Sequence, residues 1–265
     1  MSSSSSTNIS AFSTPLSPST NSDIKTQKFV YCTAYIGKKE RTAELVYSAN
    51  KAGFRGFDTG AQPMLYDENG VGERVRKSIE EGLVKREELF MSLMSWDNFW
   101  DFFINLIPTP PDNILTLEAC CVLSFYVPTK IRSLGLSNTA LDDLKQLTAS
   151  ARVHQPPHPI PSIRQNVFHE TEGYGVYHRE FCPKNGIISQ HLRMLDMNLD
   201  LLHNGAIVDV LALALEGKVQ TGEEKAIALY GLVIDIGGIS IFYGTTSAGA
   251  NESLFGRTRG VERAG

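Results

Sequence analysis

The sequence predicts an α/β protein, a (β/α)8 TIM-type barrel in which one strand–helix unit is missing or altered around residues 95–113. Short apolar segments alternate with amphipathic helical segments along the chain, which is typical of parallel strands joined by crossover helices. No Gly-x-Gly-x-x-Gly follows the first strand, so the main signal of a doubly wound dinucleotide-binding sheet is absent. With 265 residues, 42% of them hydrophobic, the chain is long enough to bury one sizeable core.

The amino-terminal segment differs in composition from the rest of the chain. Residues 1–24 contain ten serines, three threonines and two prolines, with no lysine or arginine. Such a polar tract buries too little apolar surface to offset its chain entropy, so we predict a disordered tail over 1–27 and a barrel domain over 28–265. The tail lacks the features of a secretory signal or a mitochondrial presequence, which favours a cytoplasmic protein.

The spacing of apolar residues along the chain predicts where the strands and helices lie. Strands are predicted over 54–58, 89–93, 131–136, 163–165, 186–189 and 239–242. Helices are predicted over 40–51, 71–81, 116–126, 141–150, 177–185 and 223–234. The helix over 71–81 is the clearest, because Val71, Val75 and Ile79 repeat every four residues and Gly82 follows as a stop. Gly53 is the corresponding stop of the first helix.

The segment 95–113 interrupts this alternation. A strand, a helix and their loops need about 25 residues, and the segment is shorter than that. Its aromatic residues are Trp96, Phe99, Trp100, Phe102 and Phe103. Either one unit of the barrel has been lost or rewritten, or a gene-model error has replaced it.

Composition excludes several kinds of partner. A formal charge of -4 gives no electrostatic reason to expect nucleic-acid binding, and no apolar run approaches the roughly 18 residues needed to span a bilayer. The four cysteines contain no C-x-x-C pair, and no His, Asp or Glu stands four residues after His169 or His178. We therefore expect no nucleic-acid partner, no membrane span and no metal site; the number of subunits is left open.

Two clusters carry residues suited to chemistry. Asp58 stands at the end of a predicted strand, where barrel enzymes place their active sites, and Tyr66 follows eight residues later in the next loop. The second cluster follows the strand predicted over 131–136, which leads directly into Ser137 and Asn138. Hydroxyl and amide groups there can hydrogen-bond a ligand carboxamide, or they can cap the following helix.

Together and in this order, these segments resemble the aldo-keto reductase family, and they are most similar to its fungal-type members. The stretch from Asp58 to Tyr66 is similar to the family segment that presents the catalytic tyrosine, and residues 130–138 are similar to the family's strongest signature. Gln165 and Asn166 resemble the amide pair at the end of the sixth strand. Residues 244–246 stand in the place of the loop that takes the cofactor phosphate.

The resemblance implies an NADP-dependent oxidoreductase that reduces an aldehyde or ketone to an alcohol, as a tailoring step in fungal terpenoid or polyketide metabolism. Tyr66 would be the general acid that protonates the alkoxide, with Asp58 beside it. The implied NADP-binding residues are Asp58, Ser137, Asn138, Gln165, Ser189, Gln190, Gly244, Thr245 and Thr246.

Some family positions differ in this sequence. In the family a lysine pairs with the aspartate and lowers the tyrosine pKa, and a histidine orients the carbonyl. Alignment of the third strand puts Met94 at the lysine position, and all six histidines lie at or after His154. The alternative interpretation is therefore a catalytically impaired relative that binds a ligand or a partner protein.

The cofactor positions differ as well. Ser189 is predicted at the end of the seventh strand, where the family usually has an aromatic residue, and residues 247–250 offer no basic side chain for a 2′-phosphate. His191 follows the predicted seventh strand; it could replace the lost histidine, but a solvated loop residue is the favoured interpretation. His169 and His178 are predicted to lie on the surface.

Overall fold

The computed structural model describes residues 26–34, 39–60, 63–94, 133–153, 160–206 and 222–260, together with Leu16 and Asp209. The chain divides into two compact units. Unit one contains Thr26–Met94 and Tyr243–Gly265, and unit two contains Ser95–Phe242. Most of the predicted tail, the aromatic segment 95–113, the helix over 116–126 and the beginning of the strand over 131–136 lie outside the described residues. The boundary predicted between tail and barrel therefore stays a prediction.

The described residues of unit one include three parallel strands and three α-helices. In chain order these are β1 (Phe29–Cys32), α1 (Thr42–Ala52), β2 (Gly56–Gly60), α2 (Glu68–Glu80), β3 (Phe90–Met94) and α6 (Ala248–Gly260). β2 lies between β1 and β3 and pairs with both in parallel. All five residues of β2 are buried, as expected for the central strand of a parallel sheet.

The helices of unit one begin and end at residues that the sequence marks. α1 buries Leu45, Val46 and Ala49, and it ends at Gly53, whose φ of 117° is one that glycine tolerates without strain. α2 begins after Asp67, whose carboxylate accepts a hydrogen bond from the Gly70 amide at 3.0 Å. This cap holds the loop that carries Tyr66 against the end of β2.

The described residues of unit two include four parallel strands and three α-helices. They are β4 (Gly135–Ser137), α3 (Leu141–Val153), β5 (Ile163–Val167), α4 (Val176–Lys184), β6 (Ile188–Leu192), α5 (Gly222–Asp235) and β7 (Ile239–Tyr243). The strand order is β4, β5, β6, β7, with every pair parallel. Leu144, Cys182 and Ile187 form an apolar cluster.

The described residues contain seven parallel strands alternating with helices, which confirms the predicted α/β class. Most boundaries agree within about two residues, but the strand predicted over 186–189 is displaced. Gly186 has a φ of 72° and belongs to the turn that ends α4, so β6 starts at Ile188 and continues through His191 to Leu192. Pairing with β5 buries polar residues that periodicity does not mark as strand formers. Among the helices of the described ranges, none combines the length and the apolar character that crossing a bilayer requires.

Gly175, which precedes α4, is predicted to tolerate no side chain. Its φ is +68°, and a Cβ there would lie 2.6 Å from Cε1 of His191. We expect Gly175→Ala to destabilise the protein by about 2–4 kcal/mol, the sum of left-handed backbone strain and a steric clash. Gly173→Ala is the matched control, because Gly173 also has a positive φ but no atom lies within 4 Å of its Cβ position. Urea denaturation measures both, and equal losses would contradict the clash.

Candidate active site

In unit one the structure brings Asp58 and Tyr66 together. The Tyr66 hydroxyl donates a hydrogen bond to Oδ2 of Asp58 at 3.2 Å. Asp58 is 1% exposed and Tyr66 is 6% exposed, so the bond is screened from water. Asp58 is the middle residue of β2, and Tyr66 immediately precedes the Asp67 cap of α2. The pairing predicted from their spacing in the sequence therefore has a direct structural basis.

The neighbouring strands place further polar groups around Asp58. The register aligns Asp58 with Cys32 of β1 and Ser92 of β3, while Met94 is aligned with Gly60. The Thr33 hydroxyl donates to the backbone carbonyl of Asp58 at 2.7 Å. Among the described residues, Oδ1 of Asp58 is buried without a hydrogen-bond partner. Ser92, which sequence analysis missed, is thus the residue of β3 directly beside the aspartate.

Burial raises the pKa values of both Asp58 and Tyr66. It raises the pKa of Asp58 to about 7, and the neighbouring hydroxyl groups of Ser92 and Tyr66 offset only part of this effect. Burial, followed by the charge of Asp58, raises the pKa of Tyr66 well above its ordinary value. Tyr66 is therefore a neutral hydrogen-bond donor at physiological pH, and Asp58 exchanges a proton near neutrality.

In unit two, four polar residues form one row across the sheet. The register aligns Ser137 of β4 with Gln165 of β5, Gln165 with Gln190 of β6, and Gln190 with Ser240 of β7. The Ser137 hydroxyl donates to Oε1 of Gln165 at 3.2 Å. Since aligned residues of neighbouring strands share a face, three predicted cofactor-binding residues lie together in this row. Ser240, which was not predicted, extends the row.

The turn after β4 is held by a second polar network. Asn138 has a φ of 54°, and its amide donates to the carbonyl of Gln165 at 2.9 Å. The Asn166 side chain makes hydrogen bonds with both backbone groups of Thr139, and the buried Arg164 guanidinium donates to the same Thr139 carbonyl. A cavity of about 140 Å³ opens beside this turn, lined by Asn138, Ala140, Asn166, Val167 and Glu172.

Ser189 and two histidines lie elsewhere than predicted. Ser189 is inside β6, not at its end, and its hydroxyl lies 3.2 Å from Nε2 of His191. His191 is a fully buried strand residue rather than a solvated loop residue, and it packs edge-on against Phe168. Burial, reinforced by Arg164 and Arg179, lowers the pKa of His191 to about 3.

His178 on α4 is also buried, at 6% exposure, and the prediction of a surface position was wrong. Burial, then the charge of Arg164, lowers the pKa of His178 to about 4. Both errors arise because helix α4 covers this face of β6, a contact that local sequence does not specify. The two histidines are neutral at physiological pH. Among the described residues, no group of three His, Cys, Asp or Glu side chains is arranged to hold a metal ion.

In unit one, residues 244–246 lie at the start of α6 as predicted. The Ser247 amide donates to Oγ1 of Thr245 at 3.1 Å, and the Ala250 amide donates to Oγ of Ser247 at 3.2 Å. Gly244 and Thr246 are exposed. The amides of a helix's first turn have no acceptor within the helix, so such a turn can hold an anionic oxygen.

Comparison with known proteins identifies the relatives of this chain. It is 50% identical to the NAD(P)H-dependent D-xylose reductase of Candida tenuis over 58 residues, which are 22% of this chain and 17% of that enzyme. It is 55% identical over 58 residues to the NADPH-dependent D-xylose reductase of Candida boidinii, with the same coverage. An aldo-keto reductase of the silkworm Bombyx mori superposes with a TM-score of 0.66 over 91% of this chain and 81% of that chain, at 15% identity. The chain is thus similar in sequence to these two reductases over a short segment and similar in fold to an aldo-keto reductase.

The similarity in sequence and the similarity in structure support different conclusions about the chain. The silkworm structure shows the fold alone, and it confirms the predicted fold class, a (β/α)8 TIM-type barrel with one unit missing or altered. The sequence matches carry the family resemblance, although they span less than a fifth of the length of each of the two Candida enzymes. No family model matches the chain.

Proposed function

We propose that this protein reduces an aldehyde or ketone to an alcohol with NADPH, using Tyr66 as the proton donor. The observation that carries the proposal is the buried hydrogen bond of 3.2 Å from Tyr66 to Asp58. A phenol that donates into a buried carboxyl is held in one orientation and kept protonated. The curated relatives are named as xylose and pentose reductases, so aldoses are the first substrates to test.

Each unit, taken by itself, carries groups whose chemical character suits one part of a nicotinamide cofactor. The first-turn amides of α6 suit a phosphate, and the amide and hydroxyl groups of Ser137, Asn138 and Gln165 suit a carboxamide. When bound, the cofactor supplies the hydride that converts the carbonyl to an alkoxide. Asp58, Gln190, Gly244, Thr245 and Thr246 remain proposed cofactor contacts; Ser189, which faces His191 inside the sheet, is the least suited of the predicted set.

Tyr66 completes the reduction by giving its phenolic proton to the developing alkoxide. Its raised pKa ensures that the proton is present, but it also makes the tyrosinate costly to form. A protonated Asp58 offsets this cost. Its carboxyl then donates across the same 3.2 Å contact in the reverse direction, which leaves the phenolic hydrogen for the substrate oxygen, and it passes its own proton to the Tyr66 oxygen as that oxygen gives one up. Asp58 then regains its proton from solvent before the next turnover.

This relay differs from the arrangement that the family resemblance implies. There a lysine lowers the tyrosine pKa, whereas here Ser92 lies beside the aspartate and the pKa of Tyr66 is raised. We therefore expect reduction to be fastest below pH 7, where Asp58 is protonated, and to fall as pH rises. Oxidation of the alcohol requires the tyrosinate as a base and should be the slower direction.

The proposal is tested by titrating the purified protein with NADPH and then following NADPH absorbance with a panel of carbonyl compounds, beginning with D-xylose. We expect cofactor binding, detected as a change in NADPH fluorescence and a higher melting temperature, and turnover of at least one aldehyde or ketone. A folded protein that binds NADPH but reduces nothing would favour the alternative of a catalytically impaired relative. A role in fungal secondary metabolism stays a prediction, to be tested through the product.

A further inference from the structure

Tyr31 of β1 joins two parts of unit one that are far apart in sequence. Its hydroxyl donates a hydrogen bond of 2.5 Å to the backbone carbonyl of Thr245, 214 residues away. Tyr31 has no exposed surface, and its ring packs edge-on against Phe54 and tilted against Phe57. The ring is therefore fixed, and the bond holds the Thr245 carbonyl toward the interior.

The Thr245 carbonyl belongs to the turn that starts α6. Within this turn the Thr245 hydroxyl accepts from the Ser247 amide, and the Ser247 hydroxyl accepts from the Ala250 amide. These two bonds are local and fix the turn only relative to its own helix. The hydrogen bond from Tyr31 to the Thr245 carbonyl connects the turn to strand β1.

Asn251, on the first turn of α6, lies beside the same phenol. It is fully buried, and its side-chain amide interacts with the Tyr31 hydroxyl and lowers the pKa of that hydroxyl. Tyr31 and Asn251 therefore form a buried polar pair beneath the turn.

Tyr31 remains a donor over the physiological range. Burial, followed by the neighbouring Tyr243 and Cys32, raises the pKa of Tyr31 far above its ordinary value, and Asn251 and Arg41 oppose this only in part. A neutral phenol with a backbone carbonyl as acceptor does not change its hydrogen bond with pH. The hydrogen bond between Tyr31 and Thr245 is therefore expected to persist over the physiological pH range.

We propose that Tyr31 is a positioning residue that fixes the turn at 244–247 so that the first-turn amides of α6 hold a phosphate of the cofactor. This rests on the proposed function, which assigns that phosphate to the start of α6. Tyr31 does not touch the cofactor; it acts through the backbone of Thr245. Without its hydroxyl the carbonyl is free to rotate, and the amides that follow it lose their common direction.

The test uses Tyr31→Phe, which removes the hydroxyl and keeps the ring. Loss of one such bond corresponds to about 5-fold in an equilibrium constant, so we expect the dissociation constant for NADPH to rise by about that factor or more. At saturating NADPH, kcat should stay within 2-fold, because Tyr66 and Asp58 are unchanged. Amide hydrogen exchange over 246–250 in the cofactor-free protein should accelerate.

Ser78→Ala is the matched control in the same unit. The Ser78 hydroxyl accepts a buried hydrogen bond from Asn50 at 3.2 Å, so its removal has a comparable structural cost away from the turn. This variant should lower the melting temperature similarly yet leave both NADPH affinity and exchange over 246–250 unchanged. Wild-type affinity in Tyr31→Phe, or equal weakening in both variants, would overturn the positioning role alone. Failure of the wild-type protein to bind NADPH would overturn this proposal and the proposed function together.

Discussion

Replacing Tyr66 with phenylalanine is expected to lower the rate of carbonyl reduction by about 10²- to 10⁴-fold, the usual contribution of one positioned general acid. The substitution keeps the ring and removes the only proton that the proposed mechanism delivers to the alkoxide. The loss should appear in kcat and in kcat/KM for the carbonyl, since the hydroxyl acts on charge that develops in the transition state. Steady-state NADPH oxidation with the best carbonyl substrate measures it.

The same substitution should have a modest effect on stability, because it removes one buried hydrogen bond worth about 1 kcal/mol. NADPH affinity should stay within 2-fold. Tyr230→Phe is the control, since Tyr230 is similarly buried, at 4% exposure, but lies on α5 in unit two. Activity of Tyr66→Phe within 3-fold of wild type would remove Tyr66 from the mechanism, whatever the cofactor result.

Replacing Asp58 with asparagine should make the protein more stable at alkaline pH. The pKa of Asp58 is about 7 in the folded protein and near 3.8 in the unfolded chain. Between these values the folded state holds a proton that the unfolded state has released, so wild-type stability falls as pH rises from about 4 to 7. At about 1.4 kcal/mol for each unit, the advantage of Asp58→Asn should grow to roughly 4 kcal/mol by pH 8 and vanish near pH 4.

Urea denaturation at several pH values measures this difference in the free energy of unfolding. Asparagine keeps an oxygen that can accept the Tyr66 hydrogen bond, so the variant removes the charge and little else. Asp200→Asn, at an exposed position in unit two, is the control and should show no growing advantage. A constant difference between Asp58→Asn and wild type across pH 4–8 would show that Asp58 does not titrate near neutrality. It would also remove the proton relay from the proposed mechanism.

Local sequence determined the features of this protein that depend on near neighbours. Alternating strand and helix patterns predicted the α/β class, and Gly53 and Asp67 marked the ends of helices because they satisfy terminal backbone groups. The spacing between Asp58 and Tyr66 predicted their meeting, because a strand, a short turn and a cap leave little freedom between them. Ser137 and Gln165 were predicted by family resemblance, and the register places them side by side.

Tertiary structure decided the features that depend on strand register and helix packing. The pairing of β2 and β3 brings Ser92 beside Asp58, a neighbour that sequence analysis did not identify. The contact between Tyr31 and Thr245 joins residues 214 positions apart, which no local pattern specifies. The sequence predicted a loop position for His191, because polar side chains are weak signals of a strand. In the structure, pairing with β5 and packing beneath α4 bury His191 completely. Burial is a property of the assembled fold, and it also sets the protonation of Asp58 and Tyr66 on which the proposed chemistry depends.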